Sequence, residues 1–391
     1  MRIIFIHTSD LRILRGSEKW LLEVCNRLQS RSFDVRIECF PSQLGKYVVN
    51  KDDLEVRSKI VEHSVRKIRV RLHRWVSLRI PFNGRVGRTL VRNFQFIPIS
   101  FALVKSMRMG DAVYFVSSSD NPARLLSLLI LSLFLQRRGL IVGMHVRMMI
   151  SSYQIPLLRF FSRVGILAAV HTVNQKDADY YRNILRCKCV YIPNGVDSKK
   201  FSTTRKSDEF TILFVGAFTA AKGADLLPQI YDRLRRYQWW SSSKFLLVSP
   251  GGDLAESIKN WSLKEKSVII KGFVNEKELI SLYGESSVVV IPSRIEPFGF
   301  VALEAQASGT PVVTSDATGF KLTVLDGQTG YLVENNDPEE FANRIAFLHE
   351  IWQSSGPTYK DMCLRAREQV QSNYSWDPII DRLIRLLHER P

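Results

Sequence analysis

Short runs rich in Val, Ile and Leu recur along the chain, and most are followed by a longer stretch with apolar positions at helical spacing. In the first half the runs are 2–7, 34–39, 112–116, 140–145, 167–171 and 189–192; in the second they are 211–216, 244–248, 267–271, 287–291, 311–314 and 331–333. Between the first two, residues 17–30 place Trp20, Leu21, Val24 and Leu28 on one helical face. Near-continuous apolar strands alternating with helices predict parallel sheets covered on both sides. Two such sets predict an α/β protein built from two doubly wound domains. The expected domains are 1–195 and 196–375, with the join in the polar stretch 197–209 after the turn IPNGV. The closing segment 376–391, with Ile379, Ile380, Leu383, Ile384 and Leu387 at helical spacing, is an amphipathic helix expected to complete the first domain. Ligands of open α/β sheets sit beyond the carboxyl ends of the strands, so two facing domains would bind in a central cleft.

Composition adds little to this picture and charge adds more. At 391 residues with 45% hydrophobic content, the chain suits two cores better than one. The opening MRIIFIHTS reads as a first strand rather than a signal peptide. The longest apolar run, Leu125–Leu135, falls short of the ~20 residues that span a bilayer and predicts a buried helix. Five cysteines at 25, 39, 187, 189 and 363 form no ladder of spacings, which predicts a reduced, cytoplasmic setting. Cys187 and Cys189 are expected as small buried apolar residues, with no further ligand nearby for a metal. Of the 55 Lys and Arg, 32 lie in residues 1–195, against 13 of the 38 Asp and Glu, a net of +19; the remainder of the chain has a net of −2. Between Glu62 and Asp111 there are eleven Lys and Arg and no acid. There the run VRKIRVRLHRW (65–75) mixes charge with Val, Ile, Leu and Trp, a composition suited to an anionic membrane surface. Nucleic acid or an acidic small substrate would also answer such charge.

Two segments carry candidate chemistry. In PSRIEPFGFVALEAQASGTPVV (292–313), a strand ends near Pro292 and Pro297 keeps Glu296 extended, outside the helix that follows. Gly299 can turn the chain into that helix. The amides of Phe298, Gly299, Phe300 and Val301 then form a helix N-terminus suited to phosphate. Glu296 is expected beside this anion site without competing for it, and Glu304 in the early helix turns, where it can accept bonds from sugar hydroxyls. In TILFVGAFTAAKGADLL (211–227), a strand and Gly216 lead to Lys222 on a loop, where an ammonium can neutralise a diphosphate leaving group. The spacing is not that of a P-loop, and no G-x-G-x-x-G is present. The acid pair in DAD (177–179) lies two residues apart, so on a helix it shares no face and is expected as solvated surface.

These segments, with RGSEKWLLEV (15–24), IPNGVD (192–197), KGFV (271–274), DGQTGYLVENNDPEEFANRI (326–345) and YSWDPIIDRLIRLL near the end, resemble glycosyltransferase family 4, retaining enzymes of the GT-B fold. The resemblance spans most of the chain in order and is thinnest over the first 190 residues. It implies that Glu296 contacts a donor hexose, that the amides from Phe298 to Val301 hold sugar and diphosphate, and that Glu304 binds the ribose. Lys222 would bind the phosphates, Gly16 and Ser17 would form a loop at the cleft, and His145 would point at the donor from the first domain. Two departures stand out: Ala217 replaces the arginine that often follows the glycine of VG, and Arg15-Gly16 replaces a Gly-Gly pair. Arg15, Arg294 and Lys321 are candidate replacements for the missing phosphate contact. The implied partners are a UDP- or GDP-sugar, a lipid-linked or polysaccharide acceptor, and an anionic membrane surface met by the basic first domain. No metal or other cofactor is expected, and the implied location is the inner face of a membrane, peripherally bound. The competing readings are a nucleotide-sugar binding protein with weak or lost catalysis and, less favoured, a nucleic-acid binder, because the phosphate-site segments sit in the neutral half.

Overall fold

The computed structural model describes residues 2–7, 16–39, 69–72, 111–116, 141–146, 155–165, 167–201, 206–354 and 356–388. Leu125–Leu135 lies outside these residues. The chain divides into two compact units, Met1–Pro193 with Asp377–Pro391, and Asn194–Trp376.

The first unit carries a parallel sheet of β1 (Arg2–His7), β2 (Asp34–Cys39), β3 (Arg69–Leu72), β4 (Ala112–Val116), β5 (Ile141–Val146), β6 (Ala169–Thr172) and β7 (Lys188–Tyr191), in the order β3-β2-β1-β4-β5-β6-β7. Helix α1 (Gly16–Ser30) follows β1, α2 (Ile155–Arg163) precedes β6, and α3 (Gln175–Ile184) connects β6 to β7. Strand β3 is absent from the sequence-based expectation. Its residues, RVRL, fall inside the basic run read as suited to a membrane, and they pair in parallel with Arg36–Cys39 of β2 at the sheet edge. A strict charged/apolar alternation has the period of a strand, and positive charge is a common way of protecting a sheet edge from further pairing. The rest of that run, 65–68 and 73–75, lies outside the described residues.

In the interior of this unit, His171 on β6 is buried. Its Nδ1 stands 2.8 Å from the Tyr114 hydroxyl and its Nε2 2.6 Å from the Ile192 carbonyl, which accepts the ring N–H. Trp20 of α1 packs over the same imidazole, with ring centroids 6.0 Å apart. Burial lowers the His171 pKa to about 4, so the ring is neutral. The terminal helix, Trp376–His388, is held to this unit by Arg31, which pairs with Asp377 at 3.2 Å and with Asp381.

The second unit carries β8 (Phe210–Val215), β9 (Ser243–Val248), β10 (Val268–Lys271), β11 (Val288–Ile291), β12 (Val312–Ser315) and β13 (Gly330–Val333), all parallel, in the order β10-β9-β8-β11-β12-β13. The covering helices are α4 (Leu227–Leu234), α5 (Ala255–Ser262), α6 (Glu276–Glu285), α7 (Phe300–Ala307), α8 (Phe320–Thr323), α9 (Pro338–Gln353) and α10 (Pro357–Asn373), before α11 (Trp376–His388). Alternate residues of β8, Phe210, Ile212 and Phe214, are buried in one cluster with Ile230 and Leu234 of α4 and Phe341 and Ile345 of α9. Each such side chain contributes ~1.5–3 kcal/mol on leaving water. Strand order runs outward in one direction from β8 and in the other from β11. The crevice beyond the carboxyl ends of that pair is where a doubly wound sheet binds ligands.

Candidate functional site

Two loops leave those two strands and meet. The first begins where Gly216 ends β8, its amide donating to the Val248 carbonyl at 3.0 Å. Thr219 then caps a 3₁₀ turn, Ala220–Lys222, with its hydroxyl accepting the Lys222 amide at 3.3 Å. Gly223 follows in the left-handed region at φ 69°, and a Cβ there would stand 1.9 Å from the Pro292 carbonyl oxygen. The second loop, leaving β11, is fastened to the first by the amide of Arg294, which donates to the Ala221 carbonyl at 2.9 Å. The Arg294 guanidinium forks onto the Asp225 carboxylate, both bonds 2.7 Å, and reaches the Ala220 carbonyl at 2.6 Å. This bidentate bond holds the Asp225 carboxyl below its usual range and raises Arg294.

The fastening brings Lys222 Nζ to 2.7 Å from Glu296 Oε2. Glu296 Oε1 in turn accepts the amide of Gly299 at 3.0 Å, with the Phe298 amide at 3.5 Å. Gly299, at φ 99°, is the N-cap of α7, where no side chain of its own supplies a cap bond. The amides of Phe300 and Val301 open the helix and have no intrahelical acceptor, so the positive end of the helix dipole lies beside Lys222's partner. Glu296 was expected beside this helix end, and its carboxylate lies on it. The carboxylate is hydrogen-bonded to both the ammonium and the helix amide, and it bridges them.

Glu304 lies within α7 and is buried, 4% exposed. The Tyr283 hydroxyl of α6 donates to its Oε2 at 3.1 Å. Burial, with the Glu304 charge adding to it, pushes the Tyr283 pKa well above 10, so the phenol remains a donor. Lys321 of α8 pairs with Asp316 at 2.9 Å, and Arg294 is committed to Asp225, so both candidate phosphate contacts have carboxylate partners. The remaining sequence-predicted residues belong to the other unit. Gly16 and Ser17 open α1, and Arg15 lies outside the described residues. His145 is the penultimate residue of β5, in register with Val116 and His171.

Three contributors escaped the sequence reading. Asp225 and Tyr283 carry no local signal, because each acts through a partner far along the chain. Thr219 is a capping residue three before Lys222, a spacing that sequence alone offers. The DAD acids serve α3: Asn174 caps it by accepting the Asp177 amide at 2.7 Å and donates back to the Asp177 carboxylate, while Asp179 pairs with Arg182. Cys187 and Cys189 are free thiols, their sulfurs 4.0 Å apart; Cys189 is buried and Cys187 half-buried. Among the described residues no cluster of three or more His, Cys, Asp or Glu is placed to hold a metal ion, and no helix is long and apolar enough to cross a membrane.

Residues 196–369 match the family model described as glycosyl transferases group 1. A D-inositol 3-phosphate glycosyltransferase of Corynebacterium diphtheriae is 40% identical over 177 residues, covering 44% of this chain and 40% of the relative. The chain spans less than half the length of the curated relatives it matches. Among solved structures, a glycosyltransferase of Rickettsia africae superimposes with a TM-score of 0.74 at 17% identity, covering 100% of both chains. Anabaena HepE, solved with UDP and glucose, gives 0.73 at 18% identity over 100% of both chains. The fold is that of these proteins, the GT-B type with two Rossmann-like units.

Proposed function

We propose that this chain, whose second unit carries a glycosyltransferase group 1 domain, is a retaining glycosyltransferase. It moves a hexose from a nucleotide-diphosphate sugar to a hydroxyl of a lipid-linked sugar or polysaccharide at a membrane surface. The observation that carries the reading is the meeting of Lys222 and the head of α7 just beyond β8 and β11, the strands at which sheet order reverses. A donor diphosphate placed there finds one ammonium and the amides of Phe300 and Val301. The likeness to HepE, solved with UDP and glucose, supports this class of donor.

In the transfer, the bond between the sugar's anomeric carbon and the phosphate oxygen breaks, and the acceptor oxygen bonds to that carbon from the same face. The bonding pair leaves with the phosphate oxygen, which develops negative charge and takes up the proton given by the acceptor hydroxyl. Lys222 and the α7 amides stabilise that charge as it develops, and a preorganised donor of this kind lowers the barrier by ~3 kcal/mol. Glu296 contacts the hexose hydroxyls, and Glu304, oriented by Tyr283, accepts from the ribose. No protein nucleophile is invoked; positioning supplies the rest. The net charge of +19 over residues 1–195 supports an anionic surface as the place of work.

Incubation with UDP- and GDP-hexoses tests the reading. Slow release of free nucleotide is expected with at least one donor, accelerated by a sugar acceptor. Nucleotide binding without release from any donor would favour a binding protein on this fold. Ala217, and the carboxylate partners of Arg294 and Lys321, point to that second reading because they leave fewer cations for the phosphates. Tight, steeply salt-dependent oligonucleotide binding with no nucleotide affinity would reject both.

A further inference from the structure

We infer that Glu296 is an internal anion that occupies Lys222 and the head of α7 until a sugar-bearing donor displaces it, so that it selects nucleotide sugar over free nucleotide. The inference rests on the donor site proposed above. It starts from the two bonds of one carboxylate, to Lys222 Nζ at 2.7 Å and to the Gly299 amide at 3.0 Å. These are the cation and the helix end that a donor diphosphate needs. The Glu296 side chain is only 13% exposed, against 37% for Lys222, so the carboxylate is the more enclosed partner and depends on these donors.

The surrounding loops fix the backbone on both sides of the pair. Arg294 clamps Asp225 and Ala220, and Gly223 lies against the Pro292 carbonyl. The Glu296 carbonyl also accepts the Gly319 amide at 2.9 Å. Exchange of carboxylate for diphosphate is therefore a side-chain rotation rather than a loop movement. Once displaced, the carboxylate needs new hydrogen-bond donors and sits near added negative charge. A hexose on the diphosphate supplies hydroxyl donors at that position. Free UDP or inorganic pyrophosphate supplies none and leaves the carboxylate opposite an anion, which costs affinity. Glu296 thus penalises the nucleotide product more than the sugar-bearing substrate, and its return to Lys222 helps expel that product.

Calorimetric titrations of UDP, inorganic pyrophosphate and UDP-glucose against the wild type and Glu296→Gln test this. Glutamine keeps the size and removes the competing charge. UDP and pyrophosphate are expected to bind about tenfold tighter to Glu296→Gln, charge-assisted bonds being the stronger kind that it abolishes. UDP-glucose gains less or loses affinity, so its preference over UDP falls. Glu296→Ala should move UDP affinity in the same direction, and melting curves establish that each variant is folded. In a Lys222→Ala background the gain from Glu296→Gln should shrink, because one of the two partners it releases is gone. Equal or weaker UDP binding by both Glu296 variants while the wild type binds UDP overturns the inference and leaves the donor site standing. Failure of the wild type and of both Glu296 variants to bind UDP, GDP, pyrophosphate and UDP-glucose overturns both together.

Discussion

Gly223 shows how finely the site is set. Its φ of 69° disfavours any side chain, and the position of an added Cβ, 1.9 Å from the Pro292 carbonyl oxygen, leaves no room for one without backbone movement. Gly223→Ala should cost about 2–4 kcal/mol, read as a lower urea midpoint, and should weaken UDP binding because the Lys222 turn must shift. Wild-type stability in that variant would show that the two loops are not fastened as described. At this scale the sequence was partly legible. Lys222-Gly223 and the Glu296-to-Glu304 spacing are local patterns and could be read directly. Asp225 and Tyr283 could not, since their partners lie 69 and 21 residues away. The rotamer that turns Glu296 back onto Gly299 also escaped, because E-P-F-G allows the carboxylate to face either way.

The strands were legible almost to the residue, because buried parallel strands read as continuous apolar runs. Residues 211–216 were expected and β8 spans Phe210–Val215; 287–291 were expected and β11 spans Val288–Ile291. The exception is β3, in which alternating arginines were read as partner-seeking charge although their spacing is that of a strand. Strand β6 carries a pH prediction. Burial holds His171 near pKa 4, against an unfolded value of about 6.5. Between those values the unfolded chain binds a proton that the folded chain refuses. Stability is therefore lost as pH falls from 6.5 towards 4, and no more is lost below that. The loss from this residue is on the order of 3 kcal/mol. Urea midpoints of His171→Gln should fall less steeply across that window than those of the wild type. Parallel slopes would show that His171 does not hold its neutral state in the fold.

Over the whole molecule, charge and chemistry divide between the halves. Residues 1–195 carry the net +19, and Lys222, Glu296 and Glu304 lie in the nearly neutral second unit. If the basic half meets an anionic membrane, co-sedimentation with vesicles containing phosphatidylserine should be strong at low salt and fall steeply near 0.5 M, where screening is within a few ångströms. Equal binding to neutral phosphatidylcholine vesicles would remove electrostatics as the cause. The two-sheet architecture was legible because it follows from alternation alone, and the donor half because its motifs are local. What the first half recognises was not legible, since the resemblance is thinnest there and no local motif marks a site. The central claim is that Lys222 and the head of α7 hold a donor's diphosphate. Calorimetric titration of UDP against the wild type and Lys222→Ala tests it most directly. A wild-type affinity that drops about tenfold or more in the variant is the predicted result, the loss expected for one charged contact to phosphate. Identical affinities in two folded proteins would contradict it.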